Sequence, residues 1–145
     1  MNAQMVDITG KKDEVRTAQA EGFIRLRPET LKLISEGKVQ KGDVISIAKT
    51  AAILAVKQVP NLVPLTHPIP ITGVRVEASL EESGIRMKVE VKSTGKTGVE
   101  MEALAGVTIG LLTVWDMVKG MEKDERGQYP TTVIEGIRVL EKVKR

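Results

Sequence analysis

Apolar and polar residues alternate along two neighbouring segments in the middle of the chain, and this pattern predicts an antiparallel hairpin. The alternation runs over residues 74–81 and again over residues 85–92. Glu82-Ser83-Gly84 lies between the two runs and predicts a tight turn. Because only one face of each strand is apolar, we expect the hairpin to be buried on one side and in contact with water on the other.

Other apolar periodicities predict three helices and two further strands. In chain order the predicted elements are a strand over residues 21–26, a helix from Pro28 to Glu36, a helix from Asp43 to Pro60, the hairpin, a helix over residues 99–120 and a strand over residues 132–144. The second helix is expected to bury Val44, Ile47, Ala51, Leu54 and Ala55. Four prolines in residues 60–70 predict a rigid loop, and the polar residues 1–19 predict a flexible arm.

This order of elements predicts an α+β fold. It matches the ferredoxin-like β-α-β-β-α-β split motif, an antiparallel sheet with helices packed on one face, here with an extra helix in the first crossover. A chain of 145 residues has the length of a single domain, residues 1–145. The long helix is apolar almost all round from Ala103 to Trp115, so it is expected to be buried in the core or against another subunit.

The composition excludes several kinds of site. The chain has no cysteine and one histidine, which excludes disulfides, thiolate metal ligands, a cysteine nucleophile and any site that needs two imidazoles. The longest unbroken apolar run, Ala51 to Val56, is far shorter than the roughly 20 residues that cross a bilayer. No signal peptide is visible at the N-terminus. We therefore expect no membrane contact and a cytoplasmic location.

The net charge of +3 favours an anionic partner. Proteins that bind single-stranded nucleic acid stack bases on aromatic rings, and this chain has only Phe23, Trp115 and Tyr129, widely separated. A phosphorylated small molecule therefore fits the charge better than a nucleic acid does. A non-catalytic nucleotide-binding or RNA-binding module is the alternative.

Two candidate binding segments stand out. His67 is the one side chain whose ordinary pKa lies near neutrality, and it lies in a proline-rich loop, although a plain surface turn has the same pattern. Lys96 lies in a glycine-rich segment before the predicted long helix, where a phosphate could bind. Glu100 and Glu102 would equally well complement the helix dipole there, which needs no ligand.

The end of the long helix carries a third candidate. Asp116 is unfavourably placed near a helix C-terminus, and Lys119 follows one turn later, so the pair is either functional or a simple ion pair. Lys41, before the capping Asp43, is a weaker candidate, since a solvated loop lysine explains it equally well. Glu102 and Asp116 are 14 residues apart, about 21 Å along a helix, so a site that uses both requires two subunits.

Five segments, in order, closely resemble the MoaC-type enzymes of molybdenum cofactor biosynthesis, the cyclic pyranopterin monophosphate synthase family. They are MVDITGK, KGDVISIAK, LVPLTHPIP, TGKTGVEMEAL and TVWDMVK. The resemblance implies a lyase that converts a cyclised dihydro derivative of GTP into cyclic pyranopterin monophosphate with release of pyrophosphate. It also implies a homohexamer, a trimer of dimers, with active sites between subunits.

The family motifs assign roles to individual residues of this chain. The resemblance implies catalytic roles for Asp116, Lys119 and Lys41. Substrate contacts carry over to Leu65, Thr66, His67, Met101 and Glu102, and Lys96 could stabilise the charge of the departing phosphates. No cofactor and no protein-bound metal are implied, although Mg²⁺ could bind through the substrate triphosphate.

This chain departs from the family pattern at two places. Many relatives have LCHP where this chain has Leu65-Thr66-His67-Pro68, a small-for-small change. Many also carry a glycine-rich tail with a further lysine that reaches the substrate, whereas this sequence ends at Lys144 and Arg145. The place of that lysine is therefore open, with Lys144 as the residue to test.

Overall fold

The computed structural model describes residues 1–145 and contains one four-stranded sheet and four helices. The strands are β1 (Glu14–Arg25), β2 (Ile71–Glu81), β3 (Gly84–Gly95) and β4 (Val133–Lys144). The helices are α1 (Pro28–Ser35), α2 (Val44–Val56), α3 (Val59–Leu62) and α4 (Glu100–Glu122). The strand order is β2-β3-β1-β4, with every neighbouring pair antiparallel. The fold is therefore α+β with the predicted ferredoxin-like arrangement.

The predicted hairpin is present, and its register follows the alternation of the sequence. Val76 pairs with Val89 and Ala78 pairs with Met87, all on the side that faces the helices. Val89 and Met87 are fully buried because β3 lies inside the sheet, whereas the β2 residues are partly buried at its edge. The apolar face of the hairpin thus forms the floor of the core.

The long helix α4 packs directly on this floor and against α2. Two of its glycines allow the close approach. A Cβ on Gly110 would collide with Sδ of Met87, and a Cβ on Gly106 would lie 3.1 Å from a methyl carbon of Val89 and 3.1 Å from one of Val56. The small residues of α4 therefore set the distance between the helix layer and the sheet.

The buried face of α2 differs from the prediction. Val44 and Ala55 are buried as expected, but Ile47 and Leu54 are exposed, and Ala48, Ala52 and Val56 are buried in their place. The reason is the short distance to α4, because the backbone oxygen of Ala52 would lie only 3.4 Å from a Cβ on Gly106. Small side chains fit this interface, so the larger ones face outward.

By length and composition alone, α4 could cross a membrane, since its most apolar window has a mean hydropathy of 1.4. Half of that window is buried inside the fold. The buried residues include Val107, Leu111 and Val114, which belong to the same core cluster as Met87 and Val89. This is the packing of a central core helix.

Several boundaries differ from the sequence prediction. β1 begins at Glu14, so residues 14–19 belong to the sheet and not to the predicted arm. α2 ends at Val56 and not at Pro60. The short helix α3 follows and runs into the predicted rigid loop, with Pro60 in its first turn, where a missing N–H does no harm. α4 continues past Gly120 to Glu122, although a glycine there predicts the helix end.

Candidate active site

One group of charged side chains lies at the C-terminal end of α4 and is called here the Asp116 cluster, formed by Lys41, Asp116 and Lys119. The Nζ of Lys119 lies 3.0 Å from Oδ1 of Asp116. The Nζ of Lys41 lies 3.2 Å from Oδ2 of Asp116 and 3.2 Å from its backbone oxygen. The structure therefore brings together the three residues for which the sequence resemblance implied catalytic roles.

The Asp116 cluster lies at the surface. The hydrogen bond from Lys119, then the one from Lys41, lowers the pKa of the Asp116 carboxyl. The same contact with Asp116 raises the pKa of Lys119. The carboxylate is thus held ionised between two ammonium groups, all of them reachable by a ligand. Such a group can receive a proton once a substrate draws one of its lysines away.

Local sequence explains why Lys41 reaches Asp116. Gly42 has a φ of +120°, a conformation that residues with a side chain rarely adopt, so the chain turns sharply after Lys41. Asp43 then begins α2, its side chain accepting a hydrogen bond from the backbone N–H of Ser46 at 3.1 Å. The turn and the cap place Lys41 at the edge of the helix pair α2–α4.

A second group of predicted residues lies near the other end of α4. His67 and Lys96 line the same cavity of about 210 Å³, between the loop after α3 and the end of β3. Both side chains also contact the N-terminal segment. The Nε2 of His67 lies 2.6 Å from the backbone oxygen of Val6, and Lys96 donates to the backbone oxygen of Thr9 at 3.2 Å.

Glu102, in the first turn of α4, is only 3% exposed. Burial raises the pKa of its carboxyl, and the neighbouring carboxylate of Glu100 raises it further. Its neighbour Met101 points outward and is exposed, as is Leu65, whereas Thr66 is partly buried and donates to the backbone oxygen of Val63 at 2.8 Å. The Met101 and Leu65 side chains are thus available for contact, while Glu102 is recessed.

Within one chain the two groups do not meet. Glu102 and Asp116 lie on the same unbroken helix, 14 residues apart, which is about 21 Å. The structure therefore places Lys41, Asp116 and Lys119 at one end and His67, Lys96 and Glu102 toward the other.

Comparison with known proteins shows the family of this chain. The MoaC family model matches residues 5–144. The chain belongs to the MoaC family. A relative in Aeropyrum pernix is 61% identical over 99% of this chain and 97% of its own length, and one in Archaeoglobus fulgidus is 58% identical over 97% and 90%. A third, in Pyrococcus abyssi, is 60% identical over 97% and 89%. Each is named "Probable cyclic pyranopterin monophosphate synthase".

The structure of this MoaC chain groups Lys144, which the sequence singled out, with three cationic residues that the sequence did not indicate. A cavity of about 440 Å³ lies beside the first turn of α4, and four cations line it: Lys11, Arg16, Lys142 and Lys144. The one carboxylate in its lining is that of Glu100, 3.6 Å from the Nζ of Lys142. We call this the cationic cavity.

The sequence contained a partial signal for the cationic cavity. Lys142 and Lys144 are two residues apart, so a strand over residues 132–144 places them on one face. Arg16 was assigned to the flexible arm, but it lies in β1, where its guanidinium donates to the backbone oxygens of Gly95 at 3.0 Å and Lys96 at 3.2 Å. Because the predicted arm extends too far, the sequence does not predict that Arg16 lies close to the glycine-rich segment.

The structure contains no group of three or more histidine, cysteine, aspartate or glutamate side chains that could hold a metal ion. Mg²⁺ bound through the substrate triphosphate stays a prediction.

Proposed function

We propose that this chain is a cyclic pyranopterin monophosphate synthase, a lyase that acts on the cyclised dihydro derivative of GTP and releases pyrophosphate. Membership of the MoaC family and the names of its relatives support this reaction. The single structural observation that carries the proposal is the Asp116 carboxylate between Lys119 and Lys41. Rearranging a purine-derived ring requires protons to move on and off nitrogen and carbon, and a carboxylate with two lysines supplies such groups.

In this proposal the Asp116 cluster performs the proton transfers. The ammonium groups of Lys41 and Lys119 turn from Asp116 to the substrate, and the freed carboxylate becomes a better base because its stabilising partners have left. No protein-bound metal or cofactor is required for these steps. The enzyme is expected to work in the cytoplasm.

We propose that the cationic cavity binds the triphosphate. Four cations line the cavity and two carboxylates face them, because Glu100 lies 3.6 Å from Lys142 and Glu14 lies 3.6 Å from Arg16 and 3.8 Å from Lys144. The cations stay in excess, and the leaving pyrophosphate gains negative charge as it departs. Lys144 lines this cavity beside Lys142, so both ammonium groups would contact the triphosphate. His67 and Lys96 lie at the neighbouring cavity and would contact the same substrate.

The two ends of α4 can serve one site if two copies pack antiparallel. The exposed or half-exposed residues Met101, Ala105, Thr108 and Leu112 form a stripe along α4 that ends at Asp116. A two-fold axis near Thr108 would place Glu102 of one copy beside Asp116 of the partner subunit. We therefore propose an interfacial site in a dimer, with three dimers forming a hexamer.

The other large face of the molecule fits this pairing less well. On the side of the sheet away from the helices, the carboxylate of Glu21 pairs with Arg138 at 2.9 Å and with Arg86 at 3.7 Å. These charges already satisfy one another. The apolar stripe on α4, with Ile47 and Leu54 exposed on α2, is an apolar surface that burial between two copies would stabilise.

The test of the reaction is a direct assay. Incubation of the purified protein with the cyclised dihydro derivative of GTP should give cyclic pyranopterin monophosphate and pyrophosphate. Folded protein that forms neither product would contradict the synthase. RNA binding that weakens steeply with salt, in the absence of turnover, would favour the alternative of a binding module.

The interfacial site has its own test. Glu102→Ala and Asp116→Asn are each expected to inactivate the enzyme, and mixing the two variants should restore part of the activity through hybrid sites. Subunit exchange is verified by mass spectrometry of differently labelled chains. No recovery after exchange would place the whole site within one chain.

A further inference from the structure

Glu122, the last residue of α4, is a buried carboxylate that the proposed reaction does not use. It is 1% exposed and accepts three hydrogen bonds from two other parts of the chain. The backbone N–H of Arg27 donates to it at 3.1 Å, the hydroxyl of Thr30 donates to the same oxygen, and the hydroxyl of Thr132 donates to the other oxygen at 2.6 Å. The side chain thus connects the end of α4 to the start of α1 and to the residue before β4.

The contact between α1 and α4 is reciprocal. Arg27 is the N-cap residue of α1, and its side chain makes no cap hydrogen bond. The backbone N–H of Arg27 donates to the carboxylate of Glu122, which thus acts as the N3 glutamate of a capping box does. In return the guanidinium of Arg27 donates to the backbone oxygen of Met121 at 3.0 Å, one of the free carbonyls at the end of α4. Each helix end is therefore capped by a residue of the other helix.

The last turn of α4 needs such support. Gly120 lies in this turn, is exposed and favours unwinding, and its presence predicts that the helix ends there. The observed helix continues to Glu122. Lys119 immediately precedes Gly120, so the same turn holds the ammonium group that lies 3.0 Å from Asp116.

We propose that Glu122 is a positioning residue for Lys119: by tying the last turn of α4 to Arg27, Thr30 and Thr132, it keeps that turn helical and Lys119 beside Asp116. The importance of this for turnover rests on the proposed role of Lys119, whereas the positioning itself can be measured without substrate. Lys41 approaches Asp116 from the loop before α2 and does not depend on this turn.

The first experiment compares Glu122→Ala with Glu122→Gln. Alanine removes all three contacts, whereas a glutamine oxygen can accept from Arg27 and Thr30 while its amide donates to the Thr132 hydroxyl. In Glu122→Ala the amides of residues 119–123 should exchange about tenfold faster, and the pKa of Asp116, followed by carbon NMR of its carboxyl, should rise because Lys119 has moved away. Lys41 keeps its contact, so the rise is partial. Glu122→Gln should leave both quantities unchanged.

The second experiment adds a suppressor. A Cβ on Gly120 would meet no atom within 4 Å, and its φ is not positive, so Gly120→Ala can strengthen the turn without strain. In the Glu122→Ala background it should return the Asp116 pKa and about half of the lost turnover toward the wild-type values. Ile24→Val, a core change in β1, controls for general loss of stability and should leave the Asp116 pKa unaltered.

The outcomes distinguish the positioning role of Glu122 from the catalytic role of Lys119. An Asp116 pKa and amide exchange that stay unchanged in Glu122→Ala overturn the positioning role, and so does a shift that Gly120→Ala fails to reverse. Turnover of Lys119→Ala decides the catalytic role of Lys119 independently. If Lys119→Ala stays active while Glu122→Ala shifts the Asp116 pKa, the catalytic role is wrong and the positioning stands.

Discussion

The two ends of α4 each carry a carboxylate, and their surroundings drive the two pKa values in opposite directions. At the N-terminal end, burial raises the pKa of Glu102. At the C-terminal end, hydrogen bonds from Lys119 and Lys41 lower the pKa of Asp116. The helix dipole alone would favour the charged form at the first position and disfavour it at the second. Desolvation and direct contacts therefore outweigh the dipole at both ends.

This contrast gives the two carboxyl groups different chemical roles in the proposed site. A recessed carboxyl with a raised pKa gives up its proton less readily than an exposed one, whereas an ionised carboxylate between two ammonium groups can take a proton. One helix thus carries two carboxyl groups with opposite tendencies to ionise. The pairing of two copies would bring both groups to one substrate.

The largest effect is expected at the C-terminal end. Asp116→Asn and Lys119→Ala should each reduce turnover by about 10² to 10⁴-fold, the usual contribution of a general acid or base. The thermal midpoint should be almost unchanged, because these side chains lie at the surface and not in the core. Steady-state assays and thermal melts of both variants check this.

Lys123→Ala is the matched control for this prediction. It removes a lysine from the same end of α4 that lies 6.0 Å above the ring of Tyr129 and makes no contact with Asp116. Its turnover should stay near that of the wild type. Near-normal turnover of Asp116→Asn or Lys119→Ala would show that the proton transfers do not take place at the C-terminal end of α4.

The second largest effect is expected from a change that prevents the two ends of α4 from meeting in a dimer. Leu112→Glu places a charge in the middle of the apolar stripe on α4, where the side chain is exposed in the single chain. Burying that charge between two copies is unfavourable, so analytical ultracentrifugation should show smaller species and turnover should fall at least about tenfold.

Leu80→Glu, the same substitution at an exposed residue of β2, is the control for Leu112→Glu. It should alter neither the assembly nor the turnover. A fully active Leu112→Glu monomer would mean that each end of α4 works alone.

The sequence predicted the hairpin and the start of α4 well, because alternation and helix periodicity are local signals. It also singled out His67 and Asp116 from their unusual positions. The predictions of the buried face of α2 and of the end of α4 were wrong for a different reason. Because Gly106 has no side chain, α2 packs so close to α4 that small residues, and not Ile47 and Leu54, lie at the interface. Glu122, at the end of α4, is hydrogen-bonded to Arg27 and Thr30, which are 95 and 92 residues away in the sequence. Such tertiary contacts leave no periodic trace.

A smaller effect is expected from the buried end. Glu102→Gln keeps the size of the side chain but removes its charge. Because the folded protein binds this proton more tightly than the unfolded chain, wild-type stability decreases as pH rises from about 4.3, the ordinary value of glutamate, through the raised folded-state pKa. Denaturation should therefore show Glu102→Gln to be more stable than the wild type at pH 7 and equal to it at pH 4.

Glu100→Gln gives the comparison for that stability gain. Glu100 lies in the same turn but is partly exposed and 3.6 Å from Lys142. Its replacement removes the repulsion on Glu102 but also loses this ion pair, so the gain at pH 7 should be smaller than that of Glu102→Gln. Equal stability of Glu102→Gln and the wild type at both pH values would mean that Glu102 is not desolvated as described.

The smallest effect is expected at Thr66, in the loop that leads to His67. Its hydroxyl donates to the backbone oxygen of Val63 at 2.8 Å, a bond worth about 0.5–1.5 kcal/mol. Thr66→Val should lose roughly that much stability, whereas Thr66→Ser, which keeps the hydroxyl, should lose less. Thr66→Cys introduces the residue that many MoaC relatives carry, and its turnover should stay within about threefold of the wild type, since the loop conformation is retained. A larger loss of turnover in Thr66→Cys, with unchanged stability, would show that the hydroxyl itself contacts the substrate. The residues near the N-terminal end of α4 would then include a further substrate-binding group.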